Sequence, residues 1–219
     1  MKNTTAIPTI LLVLSSFFAI NAKAQDTATF QDFLAQFPAA TLPYNFSTEE
    51  LQGQLQTRTA AKAKRLGWEY YQFLPELERS AQFSSMPVYP EPVAKFETET
   101  NIAVVYNIAR GLSRGTKTYS ITIFDKEGNY VGTHFVAGVN PNTLTVATIA
   151  ENLNADVKEY KVNWANDYRT FGAQDNQVTS LELTETQTLD LLTSGNPDQI
   201  EWSNNPSRQD TTADLVKMK

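Results

Sequence analysis

Chemistry has few places to sit in this sequence. There is one histidine, His134, and no cysteine. That removes Cys/His zinc sites, cysteine nucleophiles and any centre needing two histidines. No Gly-x-Ser-x-Gly, Walker or dinucleotide-binding fingerprint is present. The stretch 156–167 lacks the spaced carboxylates of a calcium loop. The expectation is therefore no cofactor, no metal and no assigned catalytic residue. His134 is the one imidazole base, and a simple hairpin register would put it beside Ser120. A hydrolytic site would also need an orienting acid and an oxyanion hole, and neither is legible. The plainer reading is a histidine on a solvated sheet face.

Three other residue types invite a chemical reading. Acids pair at Glu76/Glu78, Glu97/Glu99 and Glu182/Glu185. Glycosidases use two carboxylates roughly 5 to 9.5 Å apart, but charges on strands mostly mark a wet face or a guarded edge. Cations gather as Arg58, Lys62 and Arg65 at helical spacing, and as Arg110, Arg114 and Lys117 around a glycine-bearing loop. The loop is the better anion-binding candidate, because flexible backbone N–H groups would lie nearby. A turn joining two strands explains it equally well. Aromatics are the most suggestive feature. Tyr160, Val162 and Trp164 alternate on one strand face, and Tyr168 and Trp202 follow. Exposed rings on a sheet stack against sugars, whereas buried ones are core. The candidate ligand-binding residues are thus Tyr160, Trp164, Tyr168, Trp202, Arg110 and Arg114, although the general tendency of sheet aromatics to be buried favours core for the rings.

The elements that must position these groups are mainly strands. Phe30, Phe33, Leu34 and Phe37 have helical spacing and stop at Pro38. Ser47 and Glu50 form a capping-box signature, and Leu51, Leu55, Thr59, Ala63 and Leu66 continue one helical face to Gly67. The stretch 68–74 reads as helix or strand. Prolines 87, 90 and 92 mark an extended connector. Beyond it the period becomes two, with Ile102, Val104, Tyr106 and Ile108 on one face. Tyr119–Ile123 and the segment after Asn129 predict a hairpin around Asp125-Lys126-Glu127-Gly128-Asn129, with Gly128 at positive φ. Its simplest register sets Ile123 against Val131, Ile121 against Thr133 and Tyr119 against Phe135. Ser120, Thr122, Gly132 and His134 then form a polar outer face. Asn140-Pro141-Asn142 predicts a turn, and further strands are expected over 144–149, 157–164, 178–184 and 186–192. The fold class is α+β, mainly β: an N-terminal helical segment, then an antiparallel meander sheet or sandwich.

Residues 1–24 read as a signal peptide, with Lys2, an apolar run over 7–20 and Ala22-Lys23-Ala24 before Gln25. The run is shorter than the roughly 20 residues a spanning helix needs, so no stable membrane insertion is expected after cleavage. The segments that follow are a helical part over 25–86, an antiparallel β domain over 87–203 and a polar tail over 204–219. Of 18 basic and 24 acidic residues, Lys2 and Lys23 leave with the signal, so the mature charge is −8. Such a surface disfavours nucleic acid. An exported domain without disulfides must hold itself by burial alone.

The stretches Phe33-Leu34-Ala35-Gln36-Phe37, Leu42-Pro43-Tyr44, 93–110 and Tyr119-Ser120-Ile121-Thr122-Ile123-Phe124-Asp125-Lys126-Glu127-Gly128 give a layout that resembles secreted β-rich proteins of unknown function from Bacteroidetes-type bacteria. The resemblance implies a helical or extended lead, a meandering sheet and an envelope location. Many such proteins look like lipoproteins, whereas this chain has no cysteine to acylate. The residues argue less for an enzyme than for an exported binding or interaction module in the periplasm or outside the cell, with a glycan or an envelope protein as partner. The alternatives are a carboxylate-based hydrolase acting on glycans and an inhibitor-like domain working through the 110–115 loop.

Overall fold

A computed structural model describes residues 28–56, 64–75, 77, 89–109, 116–173 and 175–193. The fold is mainly β, built on an antiparallel eight-stranded sheet. A short lead comes first: α1 (Phe30–Leu34), β1 (Tyr44–Asn45), α2 (Thr48–Gln56) and a 3-10 helix over Trp68–Phe73. Seven strands follow: β2 (Tyr89–Glu97), β3 (Asn101–Ala109), β4 (Lys117–Asp125), β5 (Tyr130–Val139), β6 (Thr143–Ile149), β7 (Asn154–Trp164) and β8 (Val178–Asp190). They lie in chain order, each against the next, and β1 adds to β6. Among the described residues no helix is long and apolar enough to cross a membrane.

The lead is bonded into the sheet. α1 is capped by a reciprocal Thr29/Asp32 box, which satisfies two backbone donors the helix would leave bare. At α2 the Glu50 N–H donates to Ser47 Oγ at 3.1 Å. The helix does not run on to Gly67: Lys64–Gly67 is not helical, and the Leu66 N–H bonds the Pro90 carbonyl at 2.8 Å instead. Sheet hydrogen bonding has displaced helical periodicity there. Arg65 therefore lies off α2, so the expected face of Arg58, Lys62 and Arg65 is not that of one helix through Arg65. Arg58 and Lys62 lie outside the described residues. The undecided 68–74 stretch is the 3-10 turn.

Two apolar layers share strands β3 and β4. One gathers Ile102, Val104, Tyr106, Ile108 and Phe124 under Phe33, Leu34, Phe37, Leu66 and Leu74 of the lead. The other joins Val105, Ile121 and Ile123 to Phe46, Leu51 and Leu55, and to inward residues of β6 and β7. β5 and β6 pair only at Gly138↔Thr145 and Val139↔Leu144. The strands diverge beyond that seam, and the sheet curls around the second layer. Leu191, just past β8, is buried in that layer, and its N–H bonds the Leu153 carbonyl.

The 125–129 hairpin forms as expected: the Asp125 N–H bonds the Asn129 carbonyl at 2.9 Å and Gly128 has φ +89°. The register beyond it does not. Ile123 faces Gly132, Ile121 faces His134, Ser120 faces Phe135 and Tyr119 faces Ala137. Val131 and Val136 are extra residues at bulges, and each insertion shifts the pairing by one. The supposed wet face is also closed. Ser120, Thr122 and Thr133 are buried, and Thr122 shares hydroxyl hydrogen bonds with Thr133 at 2.8 Å and Tyr106 at 3.2 Å. The expected break between strands over 178–184 and 186–192 is absent, because β8 is one strand of 13 residues with bulges at Thr179 and Thr184.

Gly128 offers a direct test of the turn. A β-carbon there would lie 2.9 Å from Phe30 Cδ1, in a backbone conformation that L side chains rarely adopt. Gly128→Val is expected to lower stability by about 2–3 kcal/mol, read as a lower urea midpoint. A midpoint equal to wild type would contradict this account of the turn.

Candidate functional site

Among the described residues an open concavity lies where β1 and the start of α2 meet β6, β7 and β8. Its volume is about 520 Å³. Ser47 caps α2 and so fixes where Thr48 and Glu49 stand on one wall. Asn45 completes that wall, held by a hydrogen bond from Thr148 Oγ1 to its Oδ1 at 3.1 Å. The floor is β7, whose two-residue period brings Asp156, Lys158 and Tyr160 to the same face. Val146 and Thr148 of β6 and Thr186 of β8 flank them. Asp156 Oδ1 accepts from Thr188 Oγ1 at 2.8 Å. Lys158 is exposed and makes no ion pair with a described residue. Two aromatic side chains (Phe46, itself buried in the core, and Tyr160), one cation, two carboxylates and several hydroxyls thus converge on an open cleft. Such a surface can stack a ring-shaped ligand and hydrogen-bond its hydroxyls.

Of the aromatic candidates, Tyr160 lines this cleft and is half-buried, while Trp164 and Tyr168 do not line it. Trp164 Nε1 donates to the Pro141 carbonyl at 2.7 Å, and its ring lies 5.1 Å from that of Tyr168. Both Tyr160 and Trp164 pack against the larger core. Tyr168 opens a one-turn helix, α3 (Tyr168–Phe171), capped by Asp167. Burial raises the Tyr168 hydroxyl pKa above its ordinary value. Trp202, Arg110 and Arg114 lie outside the described residues. Lys117 sits 3.8 Å from Glu91, so a carboxylate already stands beside that cation.

His134 and Ser120 are not brought together. Their cross-strand partners are Ile121 and Phe135, successive rows of the ladder, so the two side chains point to opposite faces. His134 Nε2 lies 3.2 Å from the Thr193 carbonyl. Burial lowers its pKa, against the carbonyls of Thr193 and Leu191 and the charge of Asp190.

The acid pairs divide. Glu97 bonds Lys95 at 3.0 Å, which lowers its pKa, and Glu76/Glu78 lie outside the described residues. Glu182 and Glu185, three apart, would face opposite ways in a regular strand. The bulge at Thr184 sets them against Lys161 and Glu159, which share a face. Burial and the neighbouring Glu185 raise the Glu159 carboxyl pKa. No group of three or more acidic or histidine side chains among the described residues is placed to hold a metal ion.

Asn45, Glu49, Asp156, Lys158 and Thr186 were not candidates on sequence grounds. Counting back from Tyr160 in steps of two reaches Lys158 and Asp156, so part of the floor was accessible to that reading. The opposite wall depends on the long-range pairing of Tyr44 with Ile149 and Asn45 with Thr148, which leaves no local signal. No protein-family model, curated protein or solved structure matches the chain.

Proposed function

We propose that this chain is an exported binding module of the cell envelope whose cleft receives a hydroxyl-rich ligand of the glycan class. The observation that supports this most is Tyr160, a half-buried ring on the floor of an open cleft whose walls carry hydroxyls, an amide and charges of both signs. The sequence signature of a leader and the acidic balance agree with a domain working outside the cytoplasm on a partner other than nucleic acid.

The test is a glycan-binding screen of the secreted form, followed by calorimetry. Tyr160→Ala is expected to weaken the binding of any hit at least tenfold, about 1.4 kcal/mol, while the circular dichroism spectrum stays unchanged. Equal binding by wild type and Tyr160→Ala would remove the cleft from the account.

A second reading draws on Glu49 and Asp156, two carboxylates lining the same cleft. If they act as acid and base on a glycosidic bond, incubation with candidate oligosaccharides should release reducing ends, and Glu49→Gln and Asp156→Asn should each abolish the release. An unchanged rate in both variants would dismiss that chemistry.

A further inference from the structure

β8 ends the sheet, and it is an unusual edge. It is 13 residues long and pairs with β7 alone among the described residues. Only Val178, Leu181 and Leu189 along it are half-buried; every other side chain is exposed. A row of unpaired N–H and C=O groups is a template for another strand, and proteins usually blunt such edges with proline, lysine or a covering segment. β2, at the other end of the sheet, carries those devices. It has Pro90, Pro92 and Lys95, and the lead bonds to it: the Lys95 N–H to the Pro38 carbonyl, and the Ala40 N–H to the Lys95 carbonyl. β8 contains no proline, lysine, arginine or glycine; its guards are the bulges at Thr179 and Thr184 and the charges of Glu182 and Glu185.

Its two faces differ in chemistry. Register with β7 puts Leu181, Leu183, Thr186 and Thr188 on the side of Tyr160 and Lys158. Leu183 is 54 % exposed, so it stands ready to be covered. The other side carries Glu182 and Glu185 beside Glu159, with Lys161 as the one cation in that row. Burial, and after it the charge of Glu185, raises the Glu159 pKa. A second copy of this chain paired antiparallel in the register that sets Glu182 against Glu185 would bring like charges face to face, which is destabilising.

We infer that β8 is a docking strand for an extended, basic segment of another protein. The segment joins the sheet through backbone hydrogen bonds, with lysines or arginines toward Glu182 and Glu185 and apolar or hydroxyl side chains toward Leu181 and Leu183. Main-chain pairing gives such a complex its affinity and the alternating side chains give its specificity. The inference stands apart from the cleft, because it concerns the strand edge and needs no glycan.

The probe is a synthetic peptide of roughly ten residues alternating lysine with leucine or threonine, with a glutamate counterpart as control. It is added to the isotope-labelled secreted form, and affinity and amide exchange are followed together by nuclear magnetic resonance. The expected result is binding of the lysine peptide, slowed exchange of those β8 amides that point away from β7, and no binding of the glutamate peptide. The double variant E182K/E185K, changed only at exposed positions, should bind the lysine peptide at least tenfold more weakly and gain affinity for the glutamate peptide. Three outcomes would overturn the inference. The first is lysine-peptide affinity indifferent to E182K/E185K. The second is binding without protection of β8 amides. The third is β8 amides already protected in the free protein, which would mean that its own chain or a second copy occupies the edge.

Discussion

Phe33→Ala should lower the unfolding free energy of the whole domain by about 3–5 kcal/mol, the usual loss for truncating a buried aromatic to alanine. Phe33 is fully buried. Its ring lies 5.1 Å from Phe37, 5.0 Å from Phe73 and 6.0 Å from Phe124. Phe37 follows α1, Phe73 ends the 3-10 helix and Phe124 lies on β4, so the ring ties two parts of the lead to the sheet. Stabilities of single domains are commonly 5–15 kcal/mol, and a loss of this size is a large share of the total. The measurement is urea unfolding followed by the far-ultraviolet signal of the sheet. If the lead were an appendage, that signal would keep its midpoint in Phe33→Ala and only the helical contribution would melt early. A single transition moved to lower urea is the expected result.

The second large effect is alkaline. Tyr119 is buried at the meeting of β4 and α2, where its hydroxyl donates to Gln54 Oε1 at 2.9 Å. Burial is the main cause of a pKa pushed up to about 12 from 10.0, with help from the charges of Glu50 and Glu91. The folded protein therefore prefers the neutral phenol more strongly than the unfolded chain does. That contribution is fully present below about pH 10 and is lost as pH rises through about 12. Two units correspond to about 3 kcal/mol. Denaturant titrations at about pH 8 and about pH 11.5 should show a steep fall in stability for wild type. Tyr119→Phe should start about 1 kcal/mol lower, having lost the hydrogen bond to Gln54, and fall much less. Equal pH slopes for the two proteins would assign the alkaline transition to another group, such as Tyr44, whose pKa burial also raises.

These two residues also show what the sequence could and could not disclose. Helical spacing of Phe30, Phe33, Leu34 and Phe37 located the short helix and its buried side, and period two located the strands. What covers those strands is a long-range matter. The alternation of Tyr119, Ile121 and Ile123 with Ser120 and Thr122 reads as one dry and one wet face. The wet face is dry because the hydroxyls of Tyr106, Thr122 and Thr133 satisfy one another, a solution that polar residue type alone hides. Register failed for a related reason. The turn at Asp125–Asn129 was legible from residue types, but Val131 and Val136 give no local sign that they bulge. The same limit applies to the cleft. Tyr160 stood out by its size and spacing, whereas Asn45 and Glu49 reach it only because a two-residue strand pairs with β6 across about a hundred positions.

The two ends of the sheet are unequal. Polymerisation of a β-protein by stacking requires that each copy offer a donor rim and an acceptor rim, so that every addition regenerates the one it consumed. Here the rim at β2 is sealed by its prolines and by Pro38–Ala40, whereas among the described residues nothing but β7 pairs with β8. A copy adding at β8 through its own β2 therefore meets no open edge on that strand. A head-to-tail fibre, with β8 of one copy on β2 of the next, is disfavoured by that asymmetry.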